Sequence, residues 1–451
     1  MRVIFYVLLS FFIVGCASKS AVDNYEVVES FEDENLTYEI DKNWYKSYNQ
    51  TELNTLVDRA LVYNSDLKIS ALNIAQAYVR AGLIEADLLP TFSSGFGGSV
   101  SRDISKNDSS WKENYNANIS ASYELDIFAK LRNSASQADW EANASVFDLE
   151  SLRLSVINSV VDGYFKELFI NDTLKLLDEN LQNYKKLQAI TRAKFELGKD
   201  TLVNLLELDK SIISLKSRIL SFQKDRLTNE ELLKNLLHLK PNDELNFAKM
   251  TLDEVTLLGV DLNIPYYALG NRPDLRALIS RINSSFYGYK VNQKAFYPTV
   301  TIGASLSSSE EKFSDVFGLD LLSGNVKINL PFLDYARLKQ RVKISEIEFE
   351  KRVLEYEKAL NSALNELNLH YEEYEISLFS LQNYQNIVDN SNKLSSLYLA
   401  KYEQGSSELK DYLDAKNSEI SAKINFIQEK YKALNSEILV YKSMAGKFKT
   451  R

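Results

Sequence analysis

The stretch Lys401–Ile420, Lys-Tyr-Glu-Gln-Gly-Ser-Ser-Glu-Leu-Lys-Asp-Tyr-Leu-Asp-Ala-Lys-Asn-Ser-Glu-Ile, decides how the rest of the chain is read. The aromatic Tyr402 is followed three residues on by Gly405, and then a new amphipathic run begins. Glycine at that place ends one helix and lets the next one start. A weaker copy lies at Ala193–Ile212, Ala-Lys-Phe-Glu-Leu-Gly-Lys-Asp-Thr-Leu-Val-Asn-Leu-Leu-Glu-Leu-Asp-Lys-Ser-Ile, with Phe195 and Gly198 in the matching places. Both copies are flanked by long apolar series at helical spacing. Gly198 and Gly405 are therefore expected at the tips of two long helical hairpins.

The duplication extends beyond the tips. Asn64-Ser65-Asp66-Leu67-Lys68 returns as Asn271-Arg272-Pro273-Asp274-Leu275-Arg276, and Leu89-Pro90-Thr91 returns as Tyr297-Pro298-Thr299. Asp66 and Asp274 are 208 positions apart, as are Pro90 and Pro298; Gly198 and Gly405 are 207 apart. Fixed-period self-similarity signals a repeated unit. The expected organisation is a signal peptide over 1–15, an N-terminal extension over 16–49, a first repeat over 50–260 and a second over 261–447.

Proline placement supports long helices. None of the six prolines falls between Thr91 and Lys240 or after Phe332, and a proline inside a helix costs about 3 kcal/mol. Leu174, Leu177, Leu181 and Tyr184 step by three and four. So do Leu205, Leu208, Ile212, Leu215, Ile219 and Phe222, and in the second half Leu360, Leu364, Leu367, Tyr371, Tyr374, Leu378 and Leu381. This is coiled-coil spacing. A helix from Lys130 to Leu197 would be about 100 Å long, too long for a compact globule.

Between the short first helix of each repeat and its hairpin the period changes to two. Tyr115, Ala117, Ile119, Ala121, Tyr123 and Leu125 alternate with asparagines, serines and Glu124. Val300, Ile302, Ala304 and Leu306 oppose Thr299, Thr301, Gly303 and Ser305; Val326, Ile328 and Leu330 oppose Asn325, Lys327 and Asn329. Phe92, Phe96 and Val100 share a side of a fourth candidate. The expected strands are 91–103, 113–126, 298–309 and 323–332. One apolar and one polar face means strands wetted on one side, and about 10 residues is the length that crosses an outer membrane. A membrane barrel needs at least eight strands and tolerates no open edge. Either these strands form a soluble sheet or several copies share one barrel. Three copies would supply twelve, but the count alone does not choose three over two.

The first residues form a targeting segment. Arg2 precedes the apolar run Val3–Val14, which is too short to span, and Gly15-Cys16-Ala17 follows. This resembles a bacterial lipoprotein box, so a covalent lipid is expected on Cys16. Ala17 in place of aspartate favours the outer membrane over the inner by the same resemblance. Cys16 is the only cysteine, which leaves no disulfide within a protomer.

At this point the chain resembles the TolC family of outer-membrane efflux channels, in its lipid-anchored branch serving RND-type multidrug systems. The resemblance covers about residues 45–447. It rests on Asn271-Arg272-Pro273-Asp274-Leu275, Tyr297-Pro298-Thr299 and Leu330-Pro331-Phe332-Leu333-Asp334 with Arg337. It rests above all on Tyr402-Glu403-Gln404-Gly405 followed by Asp411-Tyr412-Leu413-Asp414-Ala415. It implies a homotrimer. Four strands per chain would build a twelve-stranded outer-membrane β-barrel, continued by a periplasmic α-helical barrel with a small equatorial region. It implies a passive exit duct for drugs or other small molecules, fed by an inner-membrane pump through a periplasmic adaptor that grips the tips near Gly198 and Gly405. It also implies a periplasmic gate at Asp411 and Asp414, with Tyr402 linking neighbouring hairpins. Read from the residues alone, the two aspartates are better read as a solvated acidic face on an exposed tip, and Tyr402 reads equally as a helix-end packing aromatic. Ser407 departs from the family, where a basic residue often stands. Type I protein secretion uses the same architecture, and a non-pore coiled-coil lipoprotein is the structural alternative.

Other chemistry is poorly supported. The net charge is −9, which argues against a nucleic-acid partner. With two histidines, His238 and His370, and one cysteine, no metal site of the usual zinc type is visible. His238 reads as a packed or capping residue at a helix end. Gly95, Gly97 and Gly98 lack the spacing and the lysine of a phosphate loop. No serine–histidine–acid or paired-carboxylate arrangement can be argued, so no enzyme activity is expected. Met250 and Met444 are too few to suggest a copper(I) path.

Overall fold

The computed structural model describes residues 22, 25–28, 38–105, 110–245, 247, 250–261 and 266–450. Cys16 and the signal segment lie outside the described residues. The chain divides into two compact units. One comprises residues 1–31, 73–146 and 276–358; the other comprises 32–72, 147–275 and 359–451.

The long elements form where the sequence lacks breakers and keeps helical spacing. After α1 (Thr51–Tyr63) and α2 (Ser65–Glu85) come strands β2 (Thr91–Ser101) and β3 (Lys112–Leu125), then α3 (Lys130–Glu196) and α4 (Leu202–Leu236). The same order follows again: α5 (Pro273–Lys294), β4 (Thr299–Glu310), β5 (Leu321–Asn329), α6 (Tyr335–Glu403) and α7 (Leu409–Ser443). Helices α3 and α6 run unbroken for 67 and 69 residues. A short strand β1 (Tyr38–Asp41) pairs antiparallel with β6 (Lys447–Thr450), a pairing the sequence did not suggest.

The strand-bearing unit holds one antiparallel sheet in the order β2-β3-β4-β5, so β2 and β5 are its edges. Registers such as Phe96↔Ala117, Tyr123↔Ile302 and Ile302↔Val326 put the apolar positions of all four strands on one face. Thr91, Ser120, Ser305 and Asn325 mark the other. Serine and threonine hydroxyls bridge the strands there: Thr91 to Ser122 and Ser93 to Ser120, each at 2.7 Å. A Cβ at Gly95, Gly97 or Gly303 would stand 2.7 Å or less from the amide oxygen of Asn118, Asn116 or Asn325. These glycines make room for cross-strand asparagines. The last strand begins at Leu321 and ends at Asn329, earlier than expected. Pro331, which cannot donate to a ladder, instead starts a 3-10 turn over Pro331–Asp334. Within this unit Val22 and Tyr25 pack against Phe286 and Phe349, and the Tyr25 hydroxyl donates to Asn283 at 2.5 Å.

The helical unit has its core around Trp44, Tyr48, Leu53, Tyr164, Phe165 and Leu233, all buried. Its anchor is Glu437, fully buried on α7. The Tyr48 hydroxyl donates to one carboxylate oxygen and the Gly259 N–H to the other, both at 2.6 Å. Burial pushes this carboxyl up, while the donated hydrogen bonds oppose the shift. The repeated signature works as a pair of helix starts. Asn64 Oδ1 caps α2 by accepting from the Asp66 and Leu67 N–H groups at 3.0 Å. Before α5, the Arg272 guanidinium bonds Asp274, Glu366 and the Ser443 carbonyl. His238 follows α4 in the left-handed region, φ 53, with its ring 3.0 Å from the Ser65 hydroxyl.

Candidate functional site

The hairpin tips belong to the helical unit. At each tip the helix ends in the same closure. Gly198 donates to the Phe195 carbonyl at 2.9 Å and Lys199 to that of Lys194 at 2.7 Å; Gly405 donates to Tyr402 and Ser406 to Lys401, both at 2.9 Å. This is the Schellman pattern, which requires a left-handed residue. Gly198 has φ 69 and Gly405 φ 73, with nothing within 4 Å of a Cβ at either. Conformation and not space demands glycine here.

The two aspartates face different surroundings. Asp411 sits in the first turn of α7, where its Oδ2 accepts from the Ser407 hydroxyl at 2.7 Å and the Glu408 N–H at 3.2 Å. Those hydrogen bonds hold its carboxyl below the usual aspartate range. Ser407, the departure from the family pattern, is thus the partner of Asp411. Asp414 has no such donors among the described residues. Partial desolvation pushes its carboxyl up and the neighbouring Asp411 charge adds to the rise, while Lys410 opposes it. Its charge also reaches Tyr184 on α3. The tip therefore carries one fixed anion and, a turn away, one that takes a proton more readily. Tyr402 is 40% exposed, and its hydroxyl has no hydrogen bond among the described residues.

Sequence reasoning missed the contacts that tie the two hairpins together. Lys194 on α3 pairs with Glu408 before α7. Further along, Lys416 reaches both Glu179 at 3.8 Å and the buried Glu419 at 2.8 Å. Lys423 and the Ser395 hydroxyl complete the ring around Glu419, holding its carboxyl down at about 2. The signal available was charge alternation on the helix faces, which cannot say which charges meet. Among the described residues no group of three or more His, Cys, Asp or Glu could hold a metal, and no helix is long and apolar enough to cross a membrane.

A sheet with one apolar and one polar face and strands of membrane-crossing length, in a chain that also carries paired helices of this length, fits the build of an outer-membrane channel. Comparison with known proteins agrees. The model of the outer membrane efflux protein family matches residues 56–237 and 264–446. An uncharacterized protein of Haemophilus influenzae is 33% identical over 97% of each chain. The toxin and drug export protein A of Aggregatibacter actinomycetemcomitans is 30% identical over 97% of this chain and 96% of its own. Among solved structures, the Campylobacter jejuni CmeC outer membrane channel superposes with a TM-score of 0.82 at 24% identity, covering 94% of this chain and 91% of that one.

The chain belongs to the outer membrane efflux protein family. It is an outer-membrane channel protein of efflux systems, with its helical part in the periplasm. Family and fold are those of channels and not of enzymes. The non-pore spacer is thereby set aside.

Proposed function

We propose that three copies of this chain close one twelve-stranded barrel and form a passive exit duct. In this reading the chain is an internal duplication anchored by lipid on Cys16. The observation that carries it is the open sheet: β2 and β5 each have one unpaired edge, and lipid tolerates no open edge. A second feature supports it. Helix α4 buries Leu205 and Ile212, and its Leu215 packs against a cluster of Leu177 on α3 with Ile420 and Ile424 on α7. It also displays Leu206, Ile213, Leu220 and Leu227 at seven-residue spacing, 56%, 63%, 65% and 68% exposed. A heptad stripe of that kind is a seam that wants a partner helix, and another copy supplies one.

The duct ends at the tips. Asp411 and Asp414 of three copies form an acidic constriction, with Tyr402 at the hairpin boundary. A periplasmic adaptor engages the turns at Gly198 and Gly405, shifting the constriction from closed to open. An inner-membrane pump supplies energy and substrate choice. The test is conductance in planar bilayers: replacing both aspartates with alanine raises it and relieves block by multivalent cations. Unchanged conductance and unchanged block remove both residues from the gate.

Protein secretion is the second reading of the cargo, because the relative from Aggregatibacter is named for both toxin and drug export. Deleting the gene separates the two. Greater drug susceptibility with unaltered secreted protein supports drug efflux; the reverse supports secretion.

A further inference from the structure

The polar face of the sheet is built almost wholly from serine, threonine, asparagine and glycine. Its charged residues in the four strands are Lys112 at the outer end and Glu124 and Lys327 at the end nearer the helices. Glu124 and Lys327 occupy one level, since Thr301 pairs with both across β4. Two strand spacings separate them, about 10 Å, so they do not neutralise each other directly. Glu124 is instead held by Lys130 at 2.7 Å. Lys327 is exposed and has no ion-pair partner among the described residues. Each protomer thus leaves one uncompensated positive charge at this level, in a chain whose net charge is −9.

We infer that Lys327 makes the strand-walled part of the pore favour anions, and that it biases the exported cargo toward anionic and neutral small molecules. The inference rests on the trimeric duct proposed above, in which three copies of Lys327 form a ring facing the lumen. Rings of basic side chains select anions in pores, and low-dielectric walls focus their field. Apart from the mutually neutralised Glu124–Lys130 pair at this level and Lys112 at the far end of the strands, the wall is uncharged, which leaves that field with little local competition. The acidic tips and this ring then give the duct opposite charge at two levels. The cost of passage for a cation falls at the ring, and for an anion at the tips.

The experiment is the anion-to-cation permeability ratio, read from the zero-current potential across a salt gradient in planar bilayers. Lys327→Gln lowers that ratio by about twofold at 0.01 M salt, where the Debye length is about 30 Å, and by much less at 1 M, where it is about 3 Å. Lys327→Glu lowers it further, and Lys327→Arg keeps the wild-type value. The same changes appear in an Asp411→Asn, Asp414→Asn background, which separates the ring from the tips. Channels of normal conductance whose ratio is indifferent to all three Lys327 substitutions overturn the inference and leave the duct standing. A wild-type protein that forms no channel overturns the duct, and the inference with it.

Discussion

Asp411 and Asp414 are three residues apart and chemically identical, yet their neighbours separate them. Asp411 is spent on its own helix start through Ser407 and Glu408, whereas Asp414 is left to partial desolvation and a like charge. The carboxyl pushed up protonates first on acidification, so Asp414 loses its charge before Asp411. If the two aspartates line the proposed constriction, block of the channel by a multivalent cation weakens as pH falls toward the ordinary carboxylate range. Asp414→Asn removes that dependence while Asp411→Asn preserves it; the blocking constant measured against pH checks both. Glu437 offers a stability test at the same scale. Glu437→Ala leaves the Tyr48 hydroxyl and the Gly259 N–H without their acceptor, which costs about 2–4 kcal/mol, seen as a lowered unfolding midpoint. Because burial raises the Glu437 pKa, the wild type is penalised above that value. Its stability from this group improves as pH falls through the raised value toward 4.5, and the alanine variant lacks that slope. Sequence alone identified the acidic pair but not its partners. Ser407 read only as a missing basic residue, and nothing marked Glu437 among 62 acidic side chains.

At the scale of elements, local chemistry was largely written in the chain. The proline-free stretches became α3 and α6, the period-two stretches became the sheet, and the glycines became turns. The boundaries moved where a backbone group decided the matter, as at Pro331. What the period could not give was the strand order, because register depends on which turns and crossovers bring strands together. The β1–β6 pairing was hidden for a related reason: both strands are four residues long, too short to show an alternation. The tips give the sharpest element-level prediction. Gly198→Ala or Gly405→Ala forces a side chain into the left-handed region, costing about 1–2 kcal/mol at each turn. Protease susceptibility of the tips rises in both variants, while the strand-bearing unit stays intact. A Gly→Asn change, which tolerates that conformation better, loses less.

For the whole molecule the governing fact is that one chain leaves its hydrophobic and hydrogen-bonding surfaces unfinished. The sheet has two open edges, and α4 shows a heptad stripe to solvent. The exposed stripe was legible in part, since Leu206, Ile213 and Leu220 each follow a seam position. Only the structure showed that one set turns inward and the other does not. A double change, Ile213→Glu with Leu220→Glu, places charges along that stripe. It abolishes assembly into the proposed trimer without unfolding the hairpin, as size-exclusion chromatography with light scattering and circular dichroism would together report. The measurement that bears most directly on the account is the stoichiometry and shape of the purified protein in lipid nanodiscs, read by single-particle electron microscopy. Three chains around one continuous central lumen are predicted. Monomeric particles, or assemblies with a closed sheet in each chain and no shared lumen, would contradict it.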